Sequence, residues 1–339
     1  MEILFENAAP ADLTSFSRAL AARMDTDTST GPSLAAFLPN RVIRGVKSRT
    51  TKVSRTQTKA RVRAFDARTP VGKRPVAASA LEVGLAPLGN KLPLREQEII
   101  LTALQSGDYD EVVAAVYDDT VNNTAAIHNL IEEFRALFLF TGKVTINDNG
   151  FIQEADYGLD ASHDLAVGDL TAAWTDPTAD LIGDELSWVQ TTQQDADAPV
   201  VGMITSRAVV NTMMKADQYR VNGDGSINYS LAAFNAIRAA AGLPPVSIYD
   251  KTLEGSRLTP ENKIALVTGT VGETQWGDTA EALRLFGSNA IDSQSTDAPA
   301  IAAASWITED PVNIWSKANA TALPVAGDIN GLFVAEVMA

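Results

Sequence analysis

The residues able to do chemistry are few and scattered. The 339-residue chain has two histidines, His128 and His163, and no cysteine. Without thiols there are no disulfides, thiolate metal sites or cysteine nucleophiles. His128 falls inside a long helical pattern and His163 in a loop, a placement that argues against a histidine-based metal cluster. No GxSxG elbow accompanies either ring, so neither is given a catalytic role. The run Thr145-Ile146-Asn147-Asp148-Asn149-Gly150, with Asp156 beyond it, has the outline of a calcium loop. Thr stands at its first position, however, and Asp replaces the final bidentate Glu. A hairpin turn accounts for the same residues. Asn222-Gly223-Asp224-Gly225 reads as a tight surface turn, and Gly269-Thr270-Val271-Gly272 lacks the Lys-Ser/Thr of a phosphate loop. No catalytic, cofactor-binding or metal residue is named, no cofactor is expected, and an interaction protein fits better than an enzyme.

The elements are better defined than any site. Val112, Val116, Ile127, Leu130, Ile131, Phe134, Leu137 and Phe138 recur at spacings of three and four. Those spacings predict one long helix over 109–141, with acids in its first turn and Gly142 as its stop. At 1.5 Å per residue it would span roughly 45–50 Å, more than a compact domain needs. Asp118 to Thr124 is polar on every side, which suggests a helix lying along a surface with its two ends packed on different partners. A hairpin over 143–157 should follow. Ala11 to Met24 and Leu92 to Ser106 are further helix candidates, the second with Pro93 near its start. From about 178 to 290, helical patterns alternate with the short apolar runs 199–205, 246–253 and 263–269, an α/β block with its own core. Leu181, Leu186, Val200, Val201, Ile204, Phe234 and Ile237 are its expected core residues. The strand-rich tail, anchored by Trp306, Ile314, Trp315, Leu332, Phe333 and Val337, is expected to return to the sheet begun by the 143–157 hairpin.

Charge is distributed unevenly. The net charge is −15, which argues against free binding to nucleic acid. Yet residues 41–74 hold twelve of the 27 bases and one of the 42 acids. With few apolar residues, this stretch cannot bury enough surface to fold alone, and it reads as a projecting hairpin or loop in need of an acidic partner. The rest of the same protein is the most abundant such partner. The N-terminus lacks the basic-then-apolar pattern of a signal peptide, and no apolar run is long enough to span a membrane.

Four stretches carry a resemblance to a known family: Ala64-Phe65-Asp66-Ala67-Arg68-Thr69-Pro70; Thr141-Gly142-Lys143-Val144 running to Asp156-Tyr157-Gly158; Trp174-Thr175-Asp176-Pro177-Thr178-Ala179-Asp180; and Asn313-Ile314-Trp315-Ser316-Lys317 through Leu323-Pro324-Val325 to Leu332-Phe333-Val334. In order and spacing the chain resembles the major capsid proteins of tailed bacteriophages, of the phage lambda type. The resemblance implies an α+β Hong Kong 97-type capsid fold. It divides the chain into an N-terminal arm (1–45), an extended basic loop (46–90), a peripheral domain (91–177) with spine helix 109–141 and hairpin 143–157, an axial domain (178–290), and peripheral return strands (291–339). It implies a non-enzymatic head protein that self-assembles into pentamers and hexamers of an icosahedral shell around double-stranded DNA, made in the host cytoplasm and carried in the virion. Implied partners are other copies of the chain, a portal protein, and separate scaffold and decoration proteins, with no membrane. The alternative is an encapsulin-like nanocompartment enclosing cargo proteins.

The candidate contacts between subunits are drawn from two sets. Arg55, Lys59, Arg61, Arg63, Arg68, Lys73 and Arg74 lie on the basic loop. Asp110, Glu111, Asp118, Asp119, Glu132 and Glu133 lie on the long helix, which the resemblance places near a neighbour's loop. The first 40 residues and the loop are expected to gain their order from neighbours.

Overall fold

The computed structural model describes residues 8–27, 33–53, 78–106, 110–219, 230–269, 271–287 and 299–338. In chain order the elements are α1 (Pro10–Thr26), β1 (Asn40–Val42), β2 (Lys47–Val53), β3 (Ala78–Gly84), β4 (Ala86–Arg95), α2 (Glu96–Ser106), α3 (Asp110–Thr141), β5 (Lys143–Asp148), β6 (Phe151–Asp156) and β7 (Asp164–Leu165). There follow α4 (Leu181–Ala196), β8 (Val200–Thr205), α5 (Arg207–Lys215), α6 (Leu231–Ala240), β9 (Val246–Ile248), β10 (Thr252–Leu253), β11 (Ser256–Arg257), β12 (Lys263–Thr268), β13 (Gly272–Trp276), α7 (Ala280–Gly287), β14 (Ala302–Glu309), β15 (Val312–Ala326) and β16 (Leu332–Glu336).

Two five-stranded sheets organise these elements. The first runs β1-β13-β15-β14, with β4 also paired to the long strand β15. The long helix α3 and the N-terminal helix α1 pack against it, and Leu13, Val116, Ile131, Phe138, Ile314 and Leu323 share its core. The second runs β7-β16-β12-β8-β9. Along β12 the side chains alternate between cores: Ala265 and Val267 join the core beneath α3, while Ile264 and Leu266 join the core under α4, α5 and α6. A strand covered on both faces needs apolar residues at every position, which is why 264–267 reads as an unbroken run. Trp174, Trp188 and Phe333 stack in the second core, with ring centroids 5.6 Å apart at each step.

The hairpin forms where expected. Asn149 (φ 47°) and Gly150 (φ 81°) supply the two left-handed residues of its tight turn. Gly142 (φ 65°) ends α3, its amide donating to the Phe138 carbonyl at 2.9 Å. Gly272 serves the sheet: a Cβ there would lie 2.5 Å from the Val325 carbonyl oxygen, so the strand pairing itself demands glycine.

Several expectations need correction. Residues 92–95 are the end of β4, and the helix begins only at Glu96, whose turn is opened by the Arg95 amide donating to Glu98 at 2.8 Å. Pro93 is tolerated because, among the described residues, β4 pairs with β15 alone. The hairpin β5–β6 is a separate two-stranded sheet and does not extend the C-terminal strands; Tyr157 ties it to β15 by donating to the Pro324 carbonyl at 2.6 Å. Sheet membership also crosses the expected boundary at 290, since β13 belongs with β15 and β16 lies between β7 and β12. The middle of α3 is not a wet segment: Thr120, Asn123 and Thr124 are buried, the threonines bonding back to carbonyls one turn earlier and Asn123 donating to the Ser316 carbonyl. In the α/β core, Leu181, Ile204 and Phe234 are buried, and Val200 and Ile237 pack at its margin. Leu186 and Val201 are instead 42% and 46% exposed. The inward face of α4 is Leu181, Glu185, Trp188, Val189, Thr192 and Ala196, and Leu186 lies off it.

Candidate subunit-interface surfaces

The outward face of α3 is acidic at both ends. Glu111 and Asp118 are exposed, Asn122 follows one turn on, and Asn129 and Glu133 are half-buried further along the same side. Spacings of seven, four, seven and four hold these residues on one stripe. Burial raises the Asp119 carboxyl, and the charges of Glu98 and Asp118 push it the same way. Burial, and then Glu254, raises Glu133. A cation brought beside Asp119 or Glu133 would favour the charged form of each. Asp110 opens the helix.

Glu132 does not belong to this stripe. It is 1% exposed and turned inward by one helical step from Glu133. Its Oε1 accepts from Arg135 Nη1 at 2.7 Å, and its Oε2 accepts from the Tyr249 hydroxyl at 2.6 Å and the Leu34 amide at 3.2 Å. Arg135 reaches across to Asp25 Oδ1 at 2.8 Å and Asn40 Oδ1 at 2.7 Å. Glu132 and Glu133 look alike as neighbouring helical acids; the signal separating them is the (i, i+3) Glu132–Arg135 pair on the side of Ile131 and Phe138.

The other half of the predicted contact set, Arg55, Lys59, Arg61, Arg63, Arg68, Lys73 and Arg74, lies outside the described residues, as do the Ala64–Pro70 stretch and the Asn222–Gly225 turn. The base of the basic segment is described. β2 and β3 pair antiparallel from Lys47↔Gly84 to Val53↔Ala78, a ribbon leading toward those residues. Its first cations find acids in their own subunit: Arg41–Glu273 at 3.1 Å, Arg44–Asp278 at 3.9 Å and Lys47–Glu82 at 2.8 Å.

The described N-terminal residues pack on their own subunit. Leu13, Ala21, Leu34 and Leu38 enter the core beneath α3. Thr14 bonds both the amide and the carbonyl of Ala303, and Arg18 donates to the Ile301 carbonyl. Together they cover part of the free edge of β14.

Both histidines are structural in their contacts. His163 Nδ1 meets the Leu332 carbonyl at 3.0 Å and its Nε2 meets Asp195 at 2.9 Å. His128 Nε2 meets Asp25 at 3.1 Å. Asp25, His128 and Glu132 do bring one ligand atom each within 4.8 Å of the others, a grouping the sequence does not announce. The Arg135 guanidinium bonds both carboxylates, so a cation already occupies their shared space. A second buried pair lies in the α/β core, where Arg238 meets Glu185 at 2.7 Å and also bonds the Tyr219 hydroxyl and the Pro244 carbonyl. Burial alone would lower the Arg238 guanidinium, but its bond to Glu185 and that residue's charge hold it raised and charged.

The fold is a long helix laid on one sheet, an α/β lobe on a second, and a β2–β3 ribbon. The family model of phage major capsid protein E matches residues 21–337, and the chain belongs to that family. It is a phage major capsid protein with the Hong Kong 97-type fold, a virion component. A prophage protein of E. coli CFT073 assigned as a capsid protein is similar in structure, with TM-score 0.60, 16% identity, and coverage of 96% of this chain and 99% of that one. A phage-related protein from Bordetella bronchiseptica RB50 gives TM-score 0.57 at 10% identity over 94% and 95% of the two chains. A chain of Mycobacterium phage Cain gives TM-score 0.50 at 10% identity over 91% and 90%. No curated protein matches the chain in sequence.

Proposed function

We propose that this capsid protein assembles as pentamers and hexamers into an icosahedral shell around double-stranded DNA, with the basic loop of each copy docked on acidic surface of its neighbour. In this reading the α/β lobe is the axial domain and the α3-covered sheet is the peripheral domain. The carrying observation is the family match over residues 21–337. The exposed acids Glu111 and Asp118 on the outward face of α3 support the docking. The protein has a structural, non-enzymatic role, and its further partners are portal, scaffold and decoration proteins met in the host cytoplasm. A capsid family does not favour the cargo nanocompartment. Electron microscopy of the expressed protein tests the proposal: closed shells are expected, and monomers turning over a hydrolase substrate would overturn it. Nucleic acid inside shells recovered from infected cells, in place of cargo protein, separates the phage head from a nanocompartment.

A further inference from the structure

Helix α1 buries only one large apolar side chain, Leu13, beside Thr14, Ser17 and Ala21. Phe16 adds an edge-on ring contact with Tyr117, and Thr14 and Arg18 bond the backbone of Ala303 and Ile301. The last turn of α1 carries Asp25, whose side chain is 7% exposed. Asp25 accepts from Asn40 Nδ2 at 2.7 Å, Arg135 Nη1 at 2.8 Å and Ser33 Oγ at 3.3 Å, and it faces His128 Nε2 at 3.1 Å. Arg135 is wholly buried and also bonds Glu132, Asn40 and Thr274. Glu132 accepts in turn from Tyr249, which follows β9, packs its ring in the core beneath α3 and donates its amide to the Thr205 carbonyl of β8 at 3.0 Å. Lys251 is the remaining charged group whose field reaches Asp25, Glu132 and Arg135. Two carboxylates therefore face two cations, with His128 alongside.

We propose that Asp25, Arg135, Glu132 and Tyr249 form a latch that holds α1 and residues 33–40 on their own subunit and couples that docking to the α/β lobe. A chain of bonds runs from β8 through Tyr249, Glu132 and Arg135 to Asp25. Removing one charge from such a buried set leaves the others uncompensated. The N-terminal elements then lose the charged part of what fixes them, whereas the α/β lobe keeps its own core. This holds for the free subunit, before any neighbour is present, and does not depend on the shell's geometry.

Hydrogen exchange on unassembled, full-length subunits tests it. In Asp25→Asn, amides of α1 and residues 33–40 are expected to exchange about a hundredfold faster, with β8 and β12 changed by less than about twofold. In Tyr249→Phe, α1 is expected to loosen roughly tenfold although the substitution lies beyond β9, on the residue whose amide bonds β8. The double variant should fall short of the product of the two effects, as members of one network do. A uniform rise across all elements in Asp25→Asn would reduce the cluster to ordinary core. An unchanged α1 in Tyr249→Phe would remove the coupling. Should Asp25→Asn fail to give soluble subunits, Tyr249→Phe alone decides.

Discussion

Arg238 and Glu185 are 53 residues apart, and nothing in their neighbourhoods marks them as partners. Both are fully buried, so each depends on the other. Arg238→Met is expected to destabilise the unassembled subunit by about 3–5 kcal/mol, because Glu185 stays behind as an unpaired buried charge. Replacing both residues, Arg238→Met with Glu185→Leu, should recover most of that loss in denaturant unfolding. Asp25 and Glu132 give a second prediction. Burial opposes their ionisation, but the bond from His128 and the charge of Arg135 hold Asp25 well below the ordinary carboxylate range, and Arg135 and Tyr249 hold Glu132 below it too. Groups depressed in the folded state add stability that is complete above the unfolded value of about 4 and is lost as pH falls through the folded one. The urea midpoint of the wild type should therefore fall between about pH 5 and pH 2. Asp25→Asn should start lower and fall less. Pairings of this kind were illegible in the chain because burial of a charge is a property of the folded neighbourhood and leaves no periodicity behind.

Among the elements, those with their own period were readable. α1, α3, the β5–β6 hairpin and the α/β strands lie within a few residues of where apolar spacing and turn residues put them. Missed were the places where tertiary pairing overrides local pattern. Residues 92–95 look like a helix start until β15 claims them as a strand. The polar centre of α3 looks wet until its threonines satisfy themselves and Asn123 finds the sheet. The two faces of the β8 sheet allow a test. Ile204→Ala strikes the core beneath α3, and Phe234→Ala the core under α4 to α6. Each should cost about 2–5 kcal/mol in denaturant unfolding of free subunits. Leu186→Ala and Val201→Ala, both at exposed positions, should cost less than about 0.5 kcal/mol.

At the scale of the whole molecule, the sequence's uneven charge becomes an assembly argument. A single exposed pair contributes only about 0.2–1 kcal/mol. Many pairs repeated over closed symmetry can still decide between shell and free subunit. Arg61→Glu with Arg63→Glu is expected to block formation of empty shells in electron micrographs. Reversing Glu111 and Asp118 to Lys in the same chain should restore them in part. Shell formation should also weaken near 1 M salt, where the Debye length is about 3 Å. Normal empty shells from the double reversal, with a defect confined to DNA retention, would mean that the loop faces the packaged DNA.

The strand order β7-β16-β12-β8-β9 sets a timetable for synthesis. β16 lies inside its sheet, yet it leaves the ribosome about 130 residues after β8, a delay of roughly 6–25 s at ordinary translation speed. Until then β12 has a bare edge, and the Trp174–Trp188 stack lacks Phe333 beneath it. A nascent or prematurely terminated chain thus has no finished α/β lobe to offer a growing shell. A chain truncated before β16 is expected to expose the β12 edge and fail to complete this lobe.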